Sequence, residues 1–151
     1  MTENQFTIEL RQQADYRFET RFDNPAVPML VTDEPQPLGA DAGPNPSRLL
    51  TVAVANCLSA SLLFAMRKFK YEPGPLRSVA TTTLGRNEQQ RWRIVGIAVD
   101  IHLGQPAGEF ALLDRVLGQF EEFCIVTQSV RSAIPVTVRV VDKRGTVVKS
   151  S

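Results

Sequence analysis

Histidine and cysteine are scarce in this chain: His102 is the only histidine, and Cys57 and Cys124 are the only cysteines among 151 residues. No Cys or His pair has zinc spacing, and two cysteines do not make the disulfide framework of a small secreted domain. Any Ser-His-Asp or Cys-His unit within one chain rests on His102 alone. It lies in a strand-like run with no nucleophile beside it, so its expected role is structural. Charge of either sign is not concentrated: 17 basic residues face 16 acidic ones. There is no basic block or aromatic-interleaved patch for nucleic acid, and no acidic tail. Met1 to Gln5 lacks the basic-then-apolar pattern of a secretory signal, which makes the cytoplasm the expected location. No metal or organic cofactor is implied.

What the chain does have is one long uncharged run. From Leu49 to Met66 there is no ionisable side chain other than Cys57, and charge returns at Arg67 and Lys68. Upstream, Gly43-Pro44-Asn45-Pro46 reads as a turn and a helix start. Asn45 can accept from the first free backbone N–H groups, and Pro46 fits at the first helical position, where a missing N–H costs nothing. A helix this apolar either crosses a membrane or is buried on most sides. Eighteen residues are at the lower edge of a span. Thr51, Asn56, Ser59, Ser61 and several alanines lower its transfer energy, so no membrane contact is expected. The run is read as a core helix from about Asn45 to Phe69.

Strands are expected on either side. Phe6 to Leu10 and Tyr16 to Phe22 alternate apolar and polar residues around the turn Arg11 to Asp15, and Val27 to Thr32 is a third short strand. Asp33 to Gly43, with two prolines and two glycines, is a loop. After the helix, Leu76 to Leu84 and Arg91 to Leu103 flank the turn Gly85 to Gln90. In the second of these runs Val95, Ile97, Val99 and Ile101 share a face. Glu109 to Phe123 is read as one amphipathic helix with Phe110, Leu113, Val116, Leu117 and Phe120 inward. A shorter helix over Val126 to Ser132 and a strand over Val136 to Val141 follow, with a frayed strand over Thr146 to Val148. Trp92 and the Phe110, Phe120 and Phe123 set are assigned to core or interface. Glu121 and Glu122 sit at the unfavourable end of their helix, by chance or because a cation faces them. The order gives an α+β fold over residues 1–151 as a single domain, its strands mostly antiparallel. One long apolar helix has too few partners in so short a chain, so a homodimer sharing the helix layer is expected.

On these residues the chain resembles the OsmC/Ohr family, the osmotically induced and organic hydroperoxide resistance proteins. Gly43-Pro44-Asn45-Pro46, Leu49-Leu50 and Ala55-Asn56-Cys57 match the family's Gly-x-Asn-Pro-Glu-x-Leu-Leu and Ala-x-Cys pattern. Cys124-Ile125-Val126-Thr127 follows its Cys-Pro-x-Ser segment loosely, and the cysteine spacing is in keeping with it. The resemblance implies an OsmC-like fold, with antiparallel sheet packed on a long central helix in an intertwined homodimer. It implies a thiol-dependent peroxidase in which Cys57 attacks a hydroperoxide to give a sulfenic acid, Cys124 resolves it, and an external dithiol reduces the disulfide.

Cys57 falls about three turns into its helix, beyond reach of the helix N-terminal field, so an activating cation has to come from elsewhere. The family uses an arginine of the first hairpin held by the glutamate of Asn-Pro-Glu. Arginine keeps its charge when desolvated and forks onto thiolate and peroxide oxygens. Arg17 is the first choice here, with Arg11 and Arg21 as alternatives. Two positions depart from the pattern: Ser47 stands where the glutamate is expected, and Ile125 where the proline is. Ser47 can accept a hydrogen bond but cannot balance an arginine, for which Asp15, Asp41 or Glu121 are the candidate carboxylates. Without the resemblance, Cys57 and Cys124 are two small buried hydrophobes. The alternative function is a non-peroxidatic relative binding a small hydrophobic ligand in the dimer cleft.

Overall fold

The computed structural model describes residues 4–151. These form two compact units that divide between Leu49 and Leu50. The first holds a three-stranded antiparallel sheet in the order β1 (Ile8–Ala14), β2 (Arg17–Phe22), β3 (Leu30–Thr32). The β1–β2 turn is shorter than the sequence indicates: β1 continues to Ala14 past an irregularity in its register, and Asp15 turns the chain with φ of 48°. β1 is exposed along its whole length rather than half-buried, because it is the edge of a small sheet. β3 is only Leu30–Thr32, the residues that pair with Thr20 to Phe18.

The loop after β3 is folded on itself. Asp33 N–H donates to Pro44 O, Gly39 N–H to Pro35 O and Asp41 N–H to Glu34 O. Gly43 closes against β3, where an added Cβ would overlap the Val31 carbonyl. The loop delivers Asn45 as the expected N-cap, whose Oδ1 accepts Arg48 N–H at 3.1 Å. Helix α1 runs Pro46–Lys68, within a residue of the expected range at both ends.

The second unit is built on the rest of α1 and a four-stranded sheet in the order β4 (Arg77–Arg86), β5 (Trp92–His102), β6 (Val136–Val141), β7 (Val147–Ser150). The β5–β6 pair is parallel and the others antiparallel. Val54, Leu58, Leu62, Ala65 and Met66 of α1 pack with Ile97, Val99 and Ile101 of β5 and Val136, Val138 and Val140 of β6 in one core. Val95 does not share that face as expected. The register skips it, Thr83 pairing with Gly96 and Leu84 with Ile94, so Ile94 packs on the core and Val95 is exposed. A bulge of this kind reverses the facing of every residue beyond it.

The segment read as one helix over Glu109 to Phe123 is three short pieces: a 3-10 turn Ala107–Glu109, α2 (Leu113–Leu117) and a 3-10 turn Phe120–Phe123. Gly118 follows α2, and non-helical backbone at Gln119 interrupts the spiral. The apolar stripe survives the breaks, since Phe110, Leu113, Val116, Leu117 and Phe120 are all buried. Phe123 is not in this core but 61% exposed. Trp92 likewise lies outside it, with the Arg86 guanidinium over its ring at 4.3 Å. Helix α3 is Ile125–Val130.

α1 is long and apolar enough to cross a membrane, and 22% of its most apolar stretch is buried. One side of it forms a wall of the second unit's core. Val52, Asn56, Ala60, Phe64 and Lys68, four residues apart, remain exposed.

Candidate functional site

In the second unit α1 presents Cys57 to the core, where it is half-buried, and the end of the Phe120–Phe123 turn presents Cys124, which is fully buried. Both are free thiols, and they are neighbours in the same core, near enough for Cys57 to act on the titration of Cys124. Cys124 Sγ donates to Thr127 Oγ1 at 3.0 Å, and Thr127 is itself completely buried. Burial pushes the Cys124 thiol above the usual cysteine range, and the adjacent Cys57 adds to this. The Thr127 hydroxyl and backbone N–H oppose it without cancelling it. Two neighbouring thiols of this kind can be joined through sulfur chemistry, with the less buried partner, Cys57, meeting reagents first.

The Cys124 turn is pinned by charge. Glu121 accepts Arg131 at 2.7 Å and Lys149 at 3.1 Å, and its side chain is 12% exposed. Ser151 Oγ also donates to this carboxylate at 3.2 Å. Burial works against the ionised form, but the bonds and charges of Arg131 and Lys149 outweigh it and hold Glu121 below the usual carboxylate range. A cation does face Glu121, which accounts for its position in the sequence. Glu121 O in turn accepts Cys124 N–H at 3.1 Å and Gln128 Nε2 at 3.0 Å.

The candidate arginines lie in the first unit, and their surroundings separate them. Arg11 is engaged by Glu9 at 3.0 Å and Arg21 by Glu19 at 2.7 Å. Arg17 opens β2, is exposed, and has no such partner within 4 Å among the described residues. Its neighbour in charge is a residue the sequence reading passed over as part of a loop. Phe18 pairs with Thr32, which sets Arg17 opposite Asp33 one step beyond the ladder. Asp33 is 3% exposed. Its carboxylate accepts N–H bonds from Glu34 at 2.8 Å and from Ala40 and Ala42 at 3.1 Å. Burial raises its pKa, but these three bonds and the Arg17 charge lower it further, leaving Asp33 below the usual range. Of the other carboxylates proposed for an arginine, Asp15 is exposed, and Asp41 accepts Gln36 N–H at 3.3 Å. Ser47 lies in the first turn of α1. No group of three or more His, Cys, Asp or Glu residues among those described is arranged to hold a metal.

Residues 39–139, more than half of the chain, match the family model described as OsmC-like protein. The chain belongs to the OsmC-like protein family. Solved structures agree on the fold. An OsmC-like protein of unknown function from Vibrio cholerae is similar with a TM-score of 0.76 at 14% identity, over 91% of this chain and 99% of that one. An organic hydroperoxide resistance protein OsmC of Legionella pneumophila gives 0.70 at 16% identity, covering 93% and 98%. The organic hydroperoxide resistance protein OhrB of Bacillus subtilis gives 0.66 at 18% identity, covering 90% and 97%. No curated protein matches the sequence. The α+β OsmC-like fold expected from the two motifs is thus the fold of this chain.

Proposed function

We propose that this OsmC-like protein is a thiol-dependent peroxidase for organic hydroperoxides. The observation that carries the proposal is the pairing of two free thiols, one half-buried and one sealed, in a single core. The Cys57 thiolate attacks the distal peroxide oxygen, the O–O bond breaks, and the alkoxide leaves as an alcohol after taking a proton. Cys57 is left as a sulfenic acid. Cys124 then displaces hydroxide from that sulfur, giving a disulfide and water, and an external dithiol restores both thiols. Arg17 is our candidate for stabilising the thiolate and orienting the peroxide, because among the described residues Arg11 and Arg21 are engaged by glutamates and Arg17 is not. The exposed Phe123 and Ile125, which flank Cys124, favour apolar substrates.

The working form is a cytoplasmic homodimer. The exposed Val52–Lys68 stripe of α1 supports it, because exposed apolar surface of this kind marks an interface. The test is titration with cumene hydroperoxide and hydrogen peroxide, with products mapped by mass spectrometry. A Cys57–Cys124 disulfide forms in the wild type, faster with cumene hydroperoxide. Cys57 sulfenic acid accumulates in Cys124→Ser, Cys57→Ser is inert, and Arg17→Met slows oxidation roughly 100-fold, on the scale of one lost transition-state hydrogen bond. A wild type whose Cys57 stays reduced under excess organic hydroperoxide points instead to ligand binding. The cavity of about 520 Å³ beside α1, lined by Asn56, Leu63 and Arg67 among others, is where that reading would be pursued.

A further inference from the structure

The reactivity of Cys124 poses a problem that its surroundings answer. A thiol with no solvent exposure gives up its proton with difficulty, yet to attack the Cys57 sulfur it must react as thiolate. Water cannot solvate the charge, because Cys124 and Thr127 are both completely buried. Among the described residues, the Thr127 hydroxyl, 3.0 Å from Cys124 Sγ, is the side-chain hydrogen-bond partner of Cys124. We infer that Thr127 is a catalytic residue of the resolving step, its hydroxyl switching from acceptor of the Cys124 thiol proton to donor toward the Cys124 thiolate. A hydroxyl can do this by rotating its own hydrogen, since it carries one donor and two acceptor sites.

The inference rests on the peroxidase reading for its biological setting but not for its chemistry. In the resolving step the Cys124 sulfur forms the S–S bond as the Cys57 S–O bond breaks, and the Cys124 thiol proton passes to the departing sulfenic oxygen, which leaves as water. Cys124 sulfur is oxidised and Cys57 sulfur reduced. Thr127 gains and loses nothing. It holds charge on Cys124 while the proton is away. The backbone keeps it in place: Arg131 N–H donates to Thr127 O at 2.8 Å and Gln128 N–H to Cys124 O at 2.9 Å.

The test starts the same attack without a peroxide. Dithiobis(nitrobenzoate) loads Cys57 first, as the more accessible thiol, giving a mixed disulfide and a first thionitrobenzoate anion, so the release that is followed is the second. Cys124 then attacks the Cys57 sulfur and expels the coloured thionitrobenzoate anion. Thr127→Val, which keeps shape and loses the hydroxyl, is expected to slow release about tenfold at pH 7 and to move its pH profile upward. Thr127→Ser restores both. In Cys57→Ser protein, the Cys124 S–H stretching band in the Raman spectrum shifts toward that of a free thiol with Thr127→Val and returns with Thr127→Ser. Release that is equally fast in Thr127→Val, with an unmoved pH profile, overturns the inference. Should Thr127→Val not fold, Thr127→Ala carries the same loss and is judged by the same readouts. Failure of the peroxide titration alone would leave these measurements intact, so the two readings fall separately.

Discussion

A buried carboxylate keeps its charge only where hydrogen bonds replace the water it has lost, and Asp33 has three such bonds and an arginine opposite. A group whose folded pKa is depressed adds stability above its unfolded pKa of about 3.9 and loses it as pH falls through the folded value. Asp33→Ala should therefore lower the thermal midpoint most at pH 7 and progressively less as the pH is taken down below about 3.9. A loss that does not shrink as the pH falls would remove the charge argument. Glu121 belongs to the same class, with Arg131 and Lys149 as its partners. Glu121→Gln leaves those cations uncompensated, and a loss of roughly 1–3 kcal/mol is expected from bonds to charged groups, read by urea unfolding at pH 7. Cys124 N–H still finds the residue-121 carbonyl in that variant, so the thiol pair should keep its chemistry while the protein loses stability. The role of Asp33 was not legible in the sequence, and that of Glu121 only as the open alternative of a facing cation. Asp33 gains Arg17 through strand register, and Glu121 meets Lys149 across 28 residues of chain, so no local pattern marks either pair.

Elements defined by local chemistry were legible, and those defined by packing were not. Asn45-Pro46 announced the start of α1 because a cap and a preset φ act within one turn. Asn45→Ala is expected to cost about 1 kcal/mol, and the stability difference in urea would show it. Gly43 is the stricter requirement, since an added Cβ overlaps the Val31 carbonyl. Gly43→Ala should cost roughly 1–3 kcal/mol, the usual range for overpacking, and a loss no larger than at an exposed helix position would contradict the close approach. The bulge at Val95 and the division of the 109–123 segment were invisible because the apolar periodicity is unbroken through both. In each case the tertiary core chose which residues to bury, and the backbone left its regular path to comply.

At the scale of the molecule, the fraction of α1 left open is the feature that asks for a partner. The homodimer proposed here puts the Val52, Asn56, Ala60 and Phe64 stripe against a second copy. Ala60→Glu places a charge in the middle of that stripe and should convert a dimer to monomers in sedimentation velocity. A wild type that sediments as a monomer at micromolar concentration would remove the assignment. Acid should unfold the protein through a small set of carboxylates. Asp142 joins Asp33 and Glu121: bonds from Ala107, Thr146 and Arg144 N–H hold it below the usual range despite burial.

The sequence by itself determined the helix start, the apolar length of α1, the strands that flank it and the family. Each rests on residues adjacent in the chain or on a periodicity that needs no knowledge of what lies opposite. Only the tertiary structure decided that Cys57 and Cys124 meet, that Thr127 is the hydroxyl at the buried thiol, that Arg17 faces Asp33, and that Trp92 and Phe123 lie outside the core. Those are contacts between distant segments. Register, a bulge and the shape of one core select them, and a linear pattern does not encode any of the three.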